Sequence, residues 1–252
     1  MIIKNISINI SAIILIFICF ITGLVKDIIA IYSLVLFHEL GHILISSFFK
    51  WKISKVNIYA FGAVTIFNDK IDKPLLEEFL VTLFGPLFQI ILYLIYFILN
   101  KNLIISDYYF ELIKNYNYSI LLFNLIPIIP LDGSKLLNVI LNKFLNFRVS
   151  YILIFITSIF NLIIFVLINV KNTSYIIIIS FLLSEILKYY KNKNIIFNRF
   201  ILEKYLYSNN YKKYKRINNL KQMKRNRKHL VKYHDNYISE KNAIKKIKEY
   251  NS

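Results

Sequence analysis

Residues 37–42 read FHELGH, in the middle of an apolar run that covers residues 27–49. They contain the pattern H-E-x-x-H. If the run is a helix, His38 and His42 lie one turn apart on the same face, so both imidazoles can reach one metal ion. Glu39 projects beside them, where a carboxylate can act as a general base towards water. The motif therefore predicts a Zn²⁺ site with His38 and His42 as ligands and Glu39 as the catalytic residue.

Two histidines in an apolar run can also be core residues that hydrogen-bond to neighbouring helices. The other two histidines, His229 and His234, lie near the C-terminal end. Two imidazoles and a carboxylate are costly inside hydrocarbon and are kept there mainly for function. This argument favours the metal site over the structural alternative.

The composition places the protein in a membrane. The chain has 252 residues, of which 57% are hydrophobic, and its mean hydropathy is +0.52. Apolar runs long enough to cross hydrocarbon recur along the first three quarters of the chain. We predict an all-α membrane protein of about six transmembrane helices, at residues 8–24, 27–49, 75–99, 109–126, 149–170 and 174–189. The first run has no small-residue cleavage site, which favours a retained helix over a signal peptide.

One stretch departs from the helical pattern. Residues 55–67, KVNIYAFGAVTIF, are rich in β-branched and aromatic side chains around a glycine. This composition predicts a short β-like hairpin or re-entrant segment. The single cysteine, Cys19, excludes an internal disulfide.

The net charge is concentrated at the C-terminal end. Residues 191–252 hold 18 Lys and Arg against four Asp and Glu, which leaves 14 of the total formal charge of +18. A basic segment after a membrane span is typical of the cytoplasmic side and of contact with anionic lipid. We predict a six-span domain at residues 1–190, a basic tail at 191–252 and both termini in the cytoplasm. Nucleic acid is not an expected partner, because no binding module accompanies the charge.

A second motif lies at residues 124–133, NLIPIIPLDG. Pro127 and Pro130 are incompatible with an intact helix, so the backbone must open there. Asp132 follows, as an acidic residue at the end of an apolar run. From the residues alone, Asp132 is either a third metal ligand or a local turn and helix cap.

The two motifs together resemble those of the site-2 protease family of intramembrane zinc metalloproteases. The resemblance implies that His38, His42 and Asp132 bind Zn²⁺ and that Glu39 is the general base. It also implies that Asn124 contacts the substrate. Gly85-Pro86 is similar to the Gly-Pro of the family's third helix, although Gln89 stands where an asparagine is common.

Within that family, the chain is similar to the branch that has six spans and no PDZ-like insertion. That branch removes the pro-sequence of a sporulation sigma factor, pro-sigma-K. The resemblance implies that the protein substrate is a sigma-factor precursor. It implies membrane lipids and membrane-protein inhibitors as further partners. The implied location is a bacterial cell membrane, either that of the mother cell or the one around the forespore. Many such proteins end in a nucleotide-sensing CBS domain; the tail here is short and poor in strand pattern, so a full CBS domain is not expected.

Two alternatives stay open. A site-2 protease of another branch would cleave a membrane-anchored anti-sigma factor, but that branch usually carries the PDZ insertion. A membrane metal transporter would also hold His and acidic residues within the bilayer. A transporter would spread such residues over several depths, whereas here they converge on one motif pair.

Overall fold

Helices form most of the computed structural model, which describes residues 6–59, 62–67, 70–169, 175–207, 214–233 and 236–250. The helices are α1 Ile10–Ile21, α2 Val25–Phe48, α3 Leu75–Lys101, α4 Asp107–Leu125, α5 Asp132–Phe144, α6 Phe147–Asn169, α7 Ile176–Lys191, α8 Lys193–Leu206 and α9 Glu240–Tyr250. The strands are β1 Ile6–Ile8, β2 Ile53–Tyr59, β3 Gly62–Phe67, β4 Tyr214–Ile217, β5 Lys228–Tyr233 and β6 Asn236–Ser239.

Three helices of the described chain, α2, α3 and α6, are long and apolar enough to cross a membrane. The helix α1 is apolar but has only 12 residues. The helix α4 begins with the polar stretch DYYFELIKNYN, and α7 has 16 residues. Length and composition therefore support a membrane protein, and they support three of the six predicted spans as membrane-crossing helices.

The structure divides into two compact units. The first comprises residues 1–69 and 79–126, and the second comprises residues 70–78 and 127–252. This division differs from the sequence-based one at residue 190, because α6 and α7 belong to the same unit as the tail.

The first unit contains the predicted β-like segment. Strands β2 and β3 pair as an antiparallel hairpin, with Asn57 opposite Val64, and β1 lies parallel to β2 on the other side. In this order, β1-β2-β3, strand β3 is at an edge of the sheet. Helix α2 packs against β3 and α4, which places the FHELGH motif beside the hairpin.

The described part of the tail contains strands that its sequence pattern did not indicate. Strands β4, β5 and β6 form a second three-stranded sheet, and α9 packs on β5 and β6. Their core contains Phe147, Phe200, Ile217, Met223, Val231, Ala243 and Ile244. In β5, KHLVKY, His229 and Val231 are buried, while Lys228, Leu230 and Lys232 beside them are half-buried or exposed. The strands are so short and so basic that this alternation of period two is easily missed in the sequence, and the predicted all-α class is too narrow.

Tail residues hold the segment that precedes α3. Lys204 Nζ lies 2.7 Å from Asp72 Oδ2, and the two side chains are only 3% and 2% exposed. Glu203 Oε2 accepts hydrogen bonds from the backbone N–H groups of Ile71 and Asp72, at 2.6 and 3.2 Å. Arg225 forms an ion pair with Glu78 at 2.6 Å. Residues 70–78 and the tail therefore fold as one unit.

Candidate metal centre

His38 and His42 lie on successive turns of α2 with their side chains almost fully buried, at 4% and 5% exposure. Their Nε2 atoms are 3.2 Å apart. A tetrahedral zinc ion bound at about 2.0–2.1 Å from each nitrogen requires a separation of about 3.3–3.4 Å between them. The two imidazoles therefore have the spacing of a pair of zinc ligands.

The hydrogen bonds of the two Nδ1 atoms determine which nitrogen of each ring carries the proton. His42 Nδ1 lies 2.7 Å from the carbonyl oxygen of Val81, which can only accept, so Nδ1 carries the proton. His38 Nδ1 lies 3.1 Å from Gln89 Oε1. Gln89 Nε2 donates to Asn117 O and Oδ1, both at 3.0 Å, so Oε1 is the acceptor. Both Nε2 atoms then present lone pairs to the same point, as metal ligands do.

Two glycines make this geometry possible. A Cβ atom on Gly41 would lie 2.2 Å from the carbonyl oxygen of Phe84, so α2 lies directly against the backbone of α3. A Cβ atom on Gly85 would lie 2.4 Å from His42 Nε2 and 2.8 Å from His38 Nε2. Gly85 therefore leaves open the space in front of the two metal-binding nitrogens.

Glu39 completes the local group. Its Oε2 accepts a hydrogen bond of 2.7 Å from Thr65 Oγ1 on strand β3. The ligand atoms of His38, Glu39 and His42 all lie within 4.8 Å of one another. Thr65 thus holds the half-buried carboxylate next to the imidazole pair, where it can accept a proton from a water molecule.

Asp132 and Asn124 lie on either side of the opened backbone. Helix α4 ends at Leu125 and α5 begins at Asp132, so the two prolines interrupt the helices as predicted. The N-cap of α5 is Leu131, and Asp132 lies in the first turn of that helix. Asp132 is 4% exposed and forms an ion pair with Lys135, with 2.9 Å between Oδ1 and Nζ. It belongs to the second unit and the histidines to the first, so its role as a ligand stays a prediction, as does substrate contact by Asn124.

Four supporting groups were not assigned from the sequence: the Val81 carbonyl, Gln89, Asn117 and Thr65. Gln89 is an amide within the apolar helix α3, and Asn117 lies where α4 changes from polar to apolar; the two residues are only 0% and 3% exposed. Buried amides at such positions need partners, which is a signal that the sequence contains. A backbone carbonyl such as that of Val81 leaves no such signal.

Comparison with known proteins finds related sequences and a similar fold. Residues 27–106 match the model of peptidase family M50. The chain is 35% identical over 189 residues to stage IV sporulation protein FB of Bacillus subtilis (strain 168), a match that spans 73% of this chain and 65% of that relative's length. The site-2 protease of Methanocaldococcus jannaschii has a similar fold, with a TM-score of 0.58 at 23% identity over 73% of this chain and 91% of that one.

Proposed function

The chain belongs to peptidase family M50, the site-2 proteases, and from that premise we propose that it is an intramembrane zinc metalloprotease that hydrolyses a peptide bond in or near the membrane. The observation that carries this proposal is the pair of Nε2 atoms 3.2 Å apart beside Glu39. Both imidazoles are held in one tautomer by outward hydrogen bonds, as metal-binding histidines are.

The residues of the chain have distinct parts in the reaction. When bound, zinc supplies a Lewis acid that lowers the pKa of water and polarises the scissile carbonyl. Glu39 takes a proton from the attacking water and delivers it to the leaving amine nitrogen. Thr65 fixes the carboxylate for both transfers. Asp132 would be the third protein ligand, and Asn124 would bind the substrate backbone near the scissile bond.

Strand β3 supports a mode of substrate binding. It lies at the edge of the sheet, and its Thr65 is bonded to the catalytic carboxylate. An unwound substrate segment can add to such an edge as a further strand, because extended backbone offers its N–H and C=O groups for pairing. The scissile bond would then be presented to Glu39 in an extended form.

Proline substitutions in β3 test this mode of binding. Neighbouring residues of a strand direct their N–H groups to opposite edges of that strand. Of the two variants Ala63→Pro and Val64→Pro, one therefore removes an N–H group from the outer edge of β3, and the other removes an N–H group from the side that pairs with β2. We expect the outer-edge variant to lose cleavage and to keep zinc at about one per chain. Product formation and zinc content are measured for both variants. Native rates in both would contradict strand addition at β3.

The proposed substrate is the precursor of a sporulation sigma factor, pro-sigma-K. Support comes from the relative named for stage IV of sporulation and from the stretch between α3 and the second motif, which holds α4 and a short connection with no inserted domain. We propose six spans with both termini in the cytoplasm of a bacterial cell membrane. A membrane-anchored anti-sigma factor is the second candidate substrate.

Co-expression with the precursor of sigma-K from an endospore former tests both the chemistry and the substrate. We expect the native chain to form a shortened product. The cleavage rate of Glu39→Gln should be about 10²–10⁴-fold lower, since that variant lacks the general base but keeps the metal ligands. The control is Glu111→Gln, at an exposed glutamate paired with Lys114, which should cleave like the native chain.

The other outcomes separate the alternatives. If neither form cleaves and zinc is bound at about one per chain, the metalloprotease stands and anti-sigma factors become the substrates to test. Cleavage that is equal in native and Glu39→Gln chains would contradict the role of Glu39. A chain that binds no zinc would contradict the proposal itself.

A further inference from the structure

The second unit contains a small cleft at the start of α6 and α8. Its polar lining consists of Arg148, Lys193 and Asn194. Its walls are the rings of Phe147, Tyr151 and Phe197. Each of the two helices contributes residues of its first turn to the cleft.

The cleft lies at the level of a membrane surface. Helix α6 is a candidate span that begins at Phe147, and the C-terminal end of α7 packs beside that beginning: the rings of Tyr151 and Tyr189 stack at 3.9 Å, and Tyr151 Oη donates to the carbonyl oxygen of Tyr189. Aromatic rings with lysine and arginine are the composition of a membrane–water interface. The cleft therefore opens where lipid headgroups are found.

The charges in the cleft are not neutralised by acidic groups. Among its lining residues, all of them in the described part of the chain, none is Asp or Glu. Arg148 lies over the ring of Phe197 at 5.6 Å, and Lys193 lies over the ring of Tyr190 at 4.4 Å. Contacts with rings leave the N–H donors of both cations able to bind an anion.

The size of the cleft and its surroundings point to the anion. Its volume is about 40 Å³, against about 10–15 Å³ for one water molecule, so it accommodates a phosphate group and not a whole nucleotide. From the cleft, exposed apolar side chains continue along α6 at intervals of three or four residues: Ile152, Ile156, Phe160 and Ile163. They lie on one face of the helix, which suits an acyl chain.

We propose that this cleft is a binding site for one anionic phospholipid. The phosphate contacts Arg148 and Lys193, and the acyl chains lie along the exposed face of α6. Basic pockets between helices at the cytoplasmic surface bind anionic headgroups in this way. The site is separate from the metal centre and needs no proteolytic activity.

Native mass spectrometry of the full chain in detergent tests the proposal. The purified protein is titrated with dioctanoyl phosphatidylglycerol, dioctanoyl phosphatidylcholine and inorganic phosphate. We expect one phosphatidylglycerol per chain, bound more tightly than the other two. The double variant Arg148→Gln/Lys193→Gln should raise its Kd by at least about tenfold. The control Lys191→Gln/Lys232→Gln removes the same charge outside the cleft and should change the Kd by less than about twofold.

Three results would overturn the proposal. An unchanged Kd in the cleft variant, with an unchanged unfolding temperature, would exclude the site. An equal loss of affinity in both double variants would show diffuse attraction to the basic tail. If inorganic phosphate binds as tightly as phosphatidylglycerol and is lost in the cleft variant, the ligand is free phosphate and the assignment to a lipid is wrong.

Discussion

Gly85→Ala is expected to abolish zinc binding, from about one ion per chain to below about a tenth. The added methyl group would lie 2.3 Å from His42 Cε1, 2.4 Å from His42 Nε2 and 2.8 Å from His38 Nε2. These distances are shorter than van der Waals contact, so the imidazoles must turn away and their hydrogen bonds to Val81 and Gln89 must break. Cleavage should be lost together with the metal. Zinc content after dialysis, measured by elemental analysis, checks this result.

The matched control for this variant is Gly23→Ala. A Cβ atom on Gly23 has no other atom within 4 Å, so the substitution strains only a backbone with φ of +78°. It should leave zinc content and cleavage unchanged. Full zinc occupancy in Gly85→Ala would mean that the ligands are not His38 and His42 through their Nε2 atoms.

Lys204→Met is expected to destabilise the second unit by about 3–5 kcal/mol. Asp72 would then be a buried carboxylate without its cation, although the N–H of Asn226 still donates to it at 3.1 Å. The carbonyl oxygen of Arg227, which accepts from Lys204 at 2.9 Å, would also lose its donor. The midpoint of thermal unfolding in detergent should fall by about 6–20 °C.

A double variant separates the charge effect from loss of packing. Asp72→Asn added to Lys204→Met removes both charges, and it should recover at least about half of the lost stability because no unpaired charge stays buried. The control is Lys188→Met, whose ion pair with Glu185 is exposed, and its midpoint should shift by less than about 2 °C. If Lys204→Met unfolds at a midpoint as high as that of the control, the buried pair of Lys204 and Asp72 does not stabilise the protein.

The buried pair of Asp72 and Lys204 also bears on how helix α3 begins. Asp72 lies in the connection between strand β3 and helix α3, and Glu78 lies in the first turn of α3; both are held by residues of the tail. Helix α3 provides Val81, Gly85 and Gln89 around the two imidazoles. A tail that unfolds would release the start of that helix.

Local patterns in the sequence were sufficient for much of the fold. The bounds of α2, α3, α4 and α6 agree with the predicted runs within a few residues, since uninterrupted apolar periods specify helices locally. The hairpin at residues 53–67 followed from β-branched and aromatic residues around a glycine. The tail sheet could not be predicted in the same way, because its strands of four to six residues acquire a core only by packing on Phe147 and Phe200.

The sequence by itself determined which residues form the candidate metal group: His38, Glu39 and His42. The spacing of His38 and His42 places both on one helical face, whatever the rest of the chain does. Only the tertiary structure decided which nitrogen of each ring faces the metal. That choice depends on acceptors 39 and 51 residues away, the Val81 carbonyl and Gln89, and on the missing side chain of Gly85. A helical pattern describes contacts within a few residues, whereas hydrogen bonds between helices depend on how the helices pack.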